Sequence, residues 1–240
     1  MRVLLTRPRA DSERMAGELR ARGYDVVIEP MLHIVPTGSL PPLDGVASLM
    51  ATSANGIRAF AAASGRRDLA VYTVGDATAR AAKEAGFGAV ESAEGDSAAL
   101  GALVAARVEP EAGTLLHIRA RAVAGNLDKL LVLKGFSVRP AILYEAQAAD
   151  ALSDRTREFL TSRKIQIILF FSPRTARTFV RLVQQAGLAD RCDTMIALCL
   201  SSAVAEAGSA LIWGSVHIAA TPDLAAMMQL CDAVQESRQT

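Results

Sequence analysis

Cysteine, histidine, lysine and aromatic residues are all scarce in this chain of 240 residues. There are three cysteines (Cys192, Cys199, Cys231), three histidines and four lysines, and 5% of the residues are aromatic. An odd cysteine count without CxxC spacing excludes a disulfide framework, and His33, His117 and His217 have none of the spacings of a zinc site. Each histidine reads as a strand or loop residue. A GxSxG elbow, an HExxH pair, a Walker A loop and a GxGxxG fingerprint are missing, which removes the commonest hydrolase, metalloprotease and nucleotide-binding signatures. No apolar run reaches the length of a membrane span, and the first residues are too polar for a signal sequence, so a cytoplasmic location is expected. A formal net charge of +1 supplies no global field for nucleic acid or an anionic membrane, so neither is expected as a partner. An anionic ligand must be held locally. The basic residues, apart from Lys83, Lys129, Lys134 and Lys164, are arginines, which clamp carboxylates in bidentate fashion.

What is present is alternation. Short runs rich in Val, Ile and Leu precede Ala-, Leu- and Arg-rich stretches of helical length: 2–6 before 12–22, 46–52 before 57–64, 70–74 before 77–85, and 114–118 before 127–134. The pattern returns at 165–171, 195–200 and 216–219, each followed by a helical stretch. Buried strands alternating with helices imply an α/β fold with parallel sheets. A shift of 112 positions lays Arg7 on Arg119, Arg9 on Arg121, Leu19 on Leu131, Gly23 on Gly135, Tyr24 on Phe136 and Val26 on Val138. Ser53, Arg58 and Phe60 likewise match Ser172, Arg177 and Phe179, while Thr78 is expected to fall on Ser202 and Ser97 on Thr221. The chain reads as a duplication, about 1–112 and 113–240.

In a parallel sheet the loops leading into the helices share one edge, where ligands gather. Here those loops carry Thr6-Arg7-Pro8, Thr52-Ser53-Ala54-Asn55-Gly56, Gly75-Asp76-Ala77-Thr78, Ser172-Pro173-Arg174-Thr175, Ser201-Ser202 and Thr221-Pro222-Asp223. Free N–H groups at helix starts, with these hydroxyls, can hold several carboxylates. Helix capping alone explains any one of them singly. Arg119 and Arg121 are expected just past the strand 114–118, as candidate clamps paired by the repeat with Arg7 and Arg9. Tyr144 stands apart, because its repeat counterpart is Leu32, and it lies in an extended stretch, 138–145, interrupted by Pro140. Glu94 and Asp96 read as loop or cap residues.

Five segments in this order resemble the uroporphyrinogen-III synthase family: Leu4-Leu5-Thr6-Arg7-Pro8, Thr52-Ser53-Ala54-Asn55-Gly56, Val74-Gly75-Asp76-Ala77-Thr78-Ala79, Leu143-Tyr144-Glu145 and Phe171-Ser172-Pro173. The resemblance implies two flavodoxin-like parallel-sheet domains joined by a two-stranded connection, with the active site in the cleft between them. The domains are then 1–36 with about 147–240, and about 37–146. It also implies that the first unit of each sequence repeat sits in the opposite domain from the rest of its repeat. The implied activity is the closure of hydroxymethylbilane, a linear tetrapyrrole with eight carboxylates, to uroporphyrinogen III with inversion of the last ring, without metal or organic cofactor, by a monomer. Tyr144 matches the family's tyrosine and is the candidate proton donor. Ser53, Thr78, Ser172 and Ser202 are carried over as substrate contacts, with Asn55, Arg7 and Arg119 placed beside them. The chain departs from the family at Cys199-Leu200 before Ser201-Ser202, where a Gly–Pro or similar tight turn is expected, and Arg174 is bulkier and more basic than the expected small residue. A non-catalytic sensor of an anionic small ligand is the competing reading, and a nucleotide-binding Rossmann protein the third.

Overall fold

The computed structural model describes residues 1–121 and 126–237. In chain order its elements are β1 (Arg2–Leu5), α1 (Arg9–Ala21), β2 (Asp25–Ile28), β3 (Leu32–Pro36), β4 (Val46–Ala51), α2 (Ala54–Ala63), β5 (Ala70–Thr73), α3 (Asp76–Glu84), β6 (Val90–Ser92) and α4 (Ser97–Arg107). They continue with β7 (Thr114–Ala120), α5 (Leu127–Leu133), β8 (Ser137–Ala148), α6 (Asp154–Thr161), β9 (Ile167–Phe170), α7 (Pro173–Gln185), β10 (Ile196–Cys199), α8 (Ser202–Ala207), β11 (Ser215–Ile218) and α9 (Leu224–Glu236). The chain divides into two compact units, 1–33 with 147–240, and 34–146. Both crossings between units fall within strands, in β3 and β8.

The first unit holds a five-stranded parallel sheet in the order β2-β1-β9-β10-β11, and the second a sheet in the order β3-β8-β7-β4-β5-β6. From β8 to β6 the second sheet is parallel as well. Apart from β3, the two sheets share one spatial arrangement: the first has the 2-1-3-4-5 order of flavodoxin-like folds, and the second is its circular permutation, 5-4-1-2-3 in chain order. The β1-α1-β2 unit stands to β9, β10 and β11 as β7-α5-β8 stands to β4, β5 and β6, which is the arrangement a duplicated sequence requires. The 112-residue repeat has a local cause. Gly23 (φ +83°) and Gly135 (φ +89°) end α1 and α5 in the left-handed conformation, and the next N–H, of Tyr24 or Phe136, bonds back to Leu19 O or Leu131 O, both at 3.1 Å. This is a Schellman closure, which needs glycine at the turn and an apolar residue beyond it.

Alternation along each strand feeds two cores per unit. In β9, Ile168 and Phe170 join Leu4, Phe179, Val183 and Leu211 on one face, while Ile167 and Leu169 join Leu5, Met15, Leu19 and Met227 on the other. In the second unit Leu116 and Ile118 of β7 pack with Ile57, Phe60 and Leu143, whereas Leu115 packs with Leu100, Leu127 and Leu131. Each large side chain so buried contributes roughly 1.5–3 kcal/mol.

Four expectations change. The sheets are not wholly parallel: Ala149 N–H bonds to Met31 O and Thr37 N–H to Leu143 O, both at 3.0 Å, so β3 and β8 run in opposite directions. Arg119 lies inside β7 rather than past its end, because the strand runs on to Ala120. Thr78 is the third residue of α3 and Ser202 the first of α8, so the two are not equivalent; Gly75 and Ser201 occupy the matching N-cap positions. In the same way Asp96 and Asp223, each accepting backbone N–H bonds at the start of α4 and α9, are the true counterparts, not Ser97 and Thr221.

Candidate active site

Tyr144 belongs to the second unit and owes its direction to an irregularity in β8. Arg119 pairs with Ile142, but Ala120 pairs with Tyr144, so the register slips by one residue at Leu143. A bulge of this kind re-aims a side chain. Leu143 packs into the core beneath α2, and Tyr144 approaches the first turn of the same helix. A Cβ on Gly56 would stand 3.1 Å from Ile118 Cγ2 and 3.6 Å from Tyr144 Cε1, so the absence of a side chain there lets α2 sit this close.

Tyr144 is 6% exposed, and the Ser53 side chain lies close enough to its hydroxyl to act on its ionisation. Ser53 is also the N-cap of α2, accepting Asn55 N–H at 3.2 Å, so its own hydroxyl hydrogen is not used in the cap. Burial raises the Tyr144 pKa above the ordinary 10.0, and the Ser53 side chain acts in the opposite direction by favouring the phenolate. The phenol is therefore protonated at neutral pH. The Asn55 side chain is turned to Arg58, whose Nη1 donates to Oδ1 at 2.9 Å.

The other predicted residues of this unit are spread more widely. Thr78 is buried in the first turn of α3. Arg119 Nε is buried without a hydrogen-bond partner among the described residues and stands 4.0 Å from Asp128 Oδ2, while the other Asp128 oxygen lies 2.5 Å from Nδ1 of the buried His117. Burial lowers the His117 pKa against the opposing pull of Asp128. Arg121 reaches Glu145 at 3.6 Å.

In the first unit Ser172 caps α7, accepting Thr175 N–H at 3.1 Å, just as Ser53 caps α2. Arg7 lies over the Phe171 ring at 4.8 Å and donates to Asp11 at 3.2 Å, so its fork is aimed from the end of β1 towards the loop after β9. Ser202 is exposed in the first turn of α8, and Ser201, the N-cap, makes no side-chain capping bond. At the departure from the family pattern, Cys199 ends β10 with its thiol in the core, and burial pushes its pKa up to about 11. An open groove of about 590 Å³ in this unit is lined by Arg9, Arg20, Glu29, His33, Ser153 and Arg155, and by none of the predicted substrate contacts.

The uroporphyrinogen-III synthase family model matches residues 13–229. The chain belongs to the uroporphyrinogen-III synthase family. Among solved structures, the uroporphyrinogen-III synthetase of Helicobacter pylori is similar over 98% of this chain and 100% of that one, with a TM-score of 0.66 at 16% identity. A mutant uroporphyrinogen III synthase of Thermus thermophilus is similar over 98% and 99%, with a TM-score of 0.50 at 19% identity. At these identities the structures establish the shared two-sheet α/β fold. No curated protein matches the chain. The structure brings Tyr144 near Ser53, the N-cap of α2, which sequence order alone does not reveal. The His117–Asp128 pair and the stacking of Arg7 on Phe171 are equally hidden in the sequence, since neither has a recognisable spacing.

Proposed function

We infer that the protein is a uroporphyrinogen-III synthase, a cyclising hydro-lyase of tetrapyrrole biosynthesis. The match of the family model over residues 13–229 carries this reading, and it favours an enzyme over a non-catalytic sensor. Hydroxymethylbilane loses its terminal hydroxyl as water, giving an azafulvene. The last pyrrole attacks through its substituted carbon, the spiro intermediate fragments, and the ring closes again at the free position.

In this reading the Tyr144 phenol donates to the departing hydroxyl, and a hydrogen bond from Ser53 stabilises the phenolate that forms. The proton released when the pyrroles regain aromaticity restores the phenol. Asn55, Thr78 and Arg119 in one unit, and Arg7, Ser172 and Ser202 in the other, are proposed contacts for the substrate's acid arms. Arginine forks and capped helix starts suit carboxylates. Holding the chain in the spiro geometry supplies a large part of the acceleration. The protein is proposed to act as a cytoplasmic monomer, on a small molecule and not on nucleic acid or membrane. Among the described residues no helix is long and apolar enough to cross a membrane.

The test is the rate of uroporphyrinogen III formation from enzymatically generated hydroxymethylbilane. Tyr144→Phe is expected to lower kcat by about 10²-fold while leaving turnover above the uncatalysed rate, in line with the loss of one positioned acid. Full turnover in that variant would remove Tyr144 as the donor.

A further inference from the structure

We propose that His117 is a positioning residue for substrate binding: it holds the Asp128 carboxylate away from Arg119 and so keeps the Arg119 guanidinium open to a carboxylate of the substrate. The proposal rests on the cyclase reading and adds a residue pair to it. His117 and Arg119 are two apart in β7 and therefore share one face of the strand, the face that packs against α5. Asp128, in the first turn of α5, lies opposite both.

The distances divide the carboxylate unequally. Its Oδ1 is 2.5 Å from His117 Nδ1, a short hydrogen bond, whereas its Oδ2 is 4.0 Å from Arg119 Nε, beyond hydrogen-bonding range. His117 is 2% exposed, so its ring has no freedom to turn away, and a neutral imidazole with Nδ1–H is the tautomer that serves the carboxylate. Among the described residues the Arg119 Nε is buried without a hydrogen-bond acceptor, while the side chain as a whole is 24% exposed. A cation with unused donors and an outlet to solvent is a ready clamp for an anionic group. The nearest competitor for that fork is Asp128 itself. Without the His117 bond, a short rotation of the Asp128 side chain would tighten its 4.0 Å ion pair with Arg119 into a direct hydrogen bond and occupy the clamp from within.

The substitutions His117→Leu, His117→Asn and the double variant His117→Leu with Asp128→Asn separate this role from a merely structural one. Leu removes the donor at similar bulk, Asn keeps a donor near the Nδ1 position, and Asn at 128 removes the competing charge. KM for enzymatically generated hydroxymethylbilane is expected to rise about tenfold in His117→Leu, the size of one charge-assisted hydrogen bond, with kcat nearly unchanged. His117→Asn is expected to stay within about threefold of the wild type, and the double variant to regain most of the lost affinity. Arg119→Gln is expected to raise KM as much as His117→Leu does. A His117→Leu protein with unchanged KM, a double variant as weak as the single one, or an Arg119→Gln protein of normal KM each overturns the proposal. Failure of the wild type to form any uroporphyrinogen III is a different result, and overturns the cyclase reading instead.

Discussion

Ser53 has two duties that pull on one hydroxyl, and they predict two separable losses. Its oxygen caps α2 through Asn55 N–H, and its side chain opposes the effect of burial on the Tyr144 phenol. Ser53→Ala should therefore cost about 1 kcal/mol of stability as a lost cap. It should also lower kcat by roughly tenfold, since a charge-assisted hydrogen bond to the forming phenolate is gone. Chemical denaturation and steady-state rates measured on one preparation read the two effects; an unchanged kcat would detach Ser53 from the chemistry. Because Tyr144 is raised above 10.0, the alkaline limb of its kcat profile is expected above that value, and higher still in Ser53→Ala. The candidate donor is visible in the sequence, since a tyrosine unexplained by the internal repeat marks itself. Its partner is not, because Ser53 reads equally well as a plain helix cap.

At the scale of elements, the bulge in β8 and the first turn of α2 meet this closely because residue 56 is glycine. Gly56→Ala adds a Cβ 3.1 Å from Ile118 Cγ2, and the helix start must shift by a few tenths of an ångström. The expected result is a several-fold fall in kcat with stability changed by less than about 1 kcal/mol, because alanine's better helix propensity offsets the crowding. A normal kcat with normal KM would show that the site tolerates the shift. Strands and helices with clear periodicity are legible from the sequence to within a few residues. Those without it are not: β3 contains Pro36, β6 has only three residues, and α6 is a charged segment, DRTREFLT. The antiparallel placement of β3 is equally hidden, since it depends on a partner more than a hundred residues away. Asp96 and Asp223 show a related limit: sequence shifts align letters, whereas capping geometry aligns helix starts.

The whole molecule distributes its buried titratable groups unevenly. In the first unit, burial pushes the Cys192 and Cys231 thiols and the Tyr24 phenol up to about 12, and Cys199 up to about 11. These groups ionise in the unfolded chain at about 8.5 for Cys and 10 for Tyr, so the stability they contribute is complete below those values. It is lost as pH climbs towards the folded values, because the unfolded state releases its protons first. The urea midpoint of the first unit is expected to fall steadily between about pH 9 and 11, and Tyr24→Phe to lessen that fall above about 10. A midpoint flat across this range would contradict the assignment of these groups as buried and neutral. Duplication is legible at this scale, because Arg7 to Val26 and Arg119 to Val138 keep one register, and the shared sheet order explains why. The decisive measurement remains the isomer composition of the product when the wild-type protein receives freshly generated hydroxymethylbilane. Uroporphyrinogen III well above the spontaneous type I background is the expected outcome; type I alone would contradict the assignment of this chain as a cyclase.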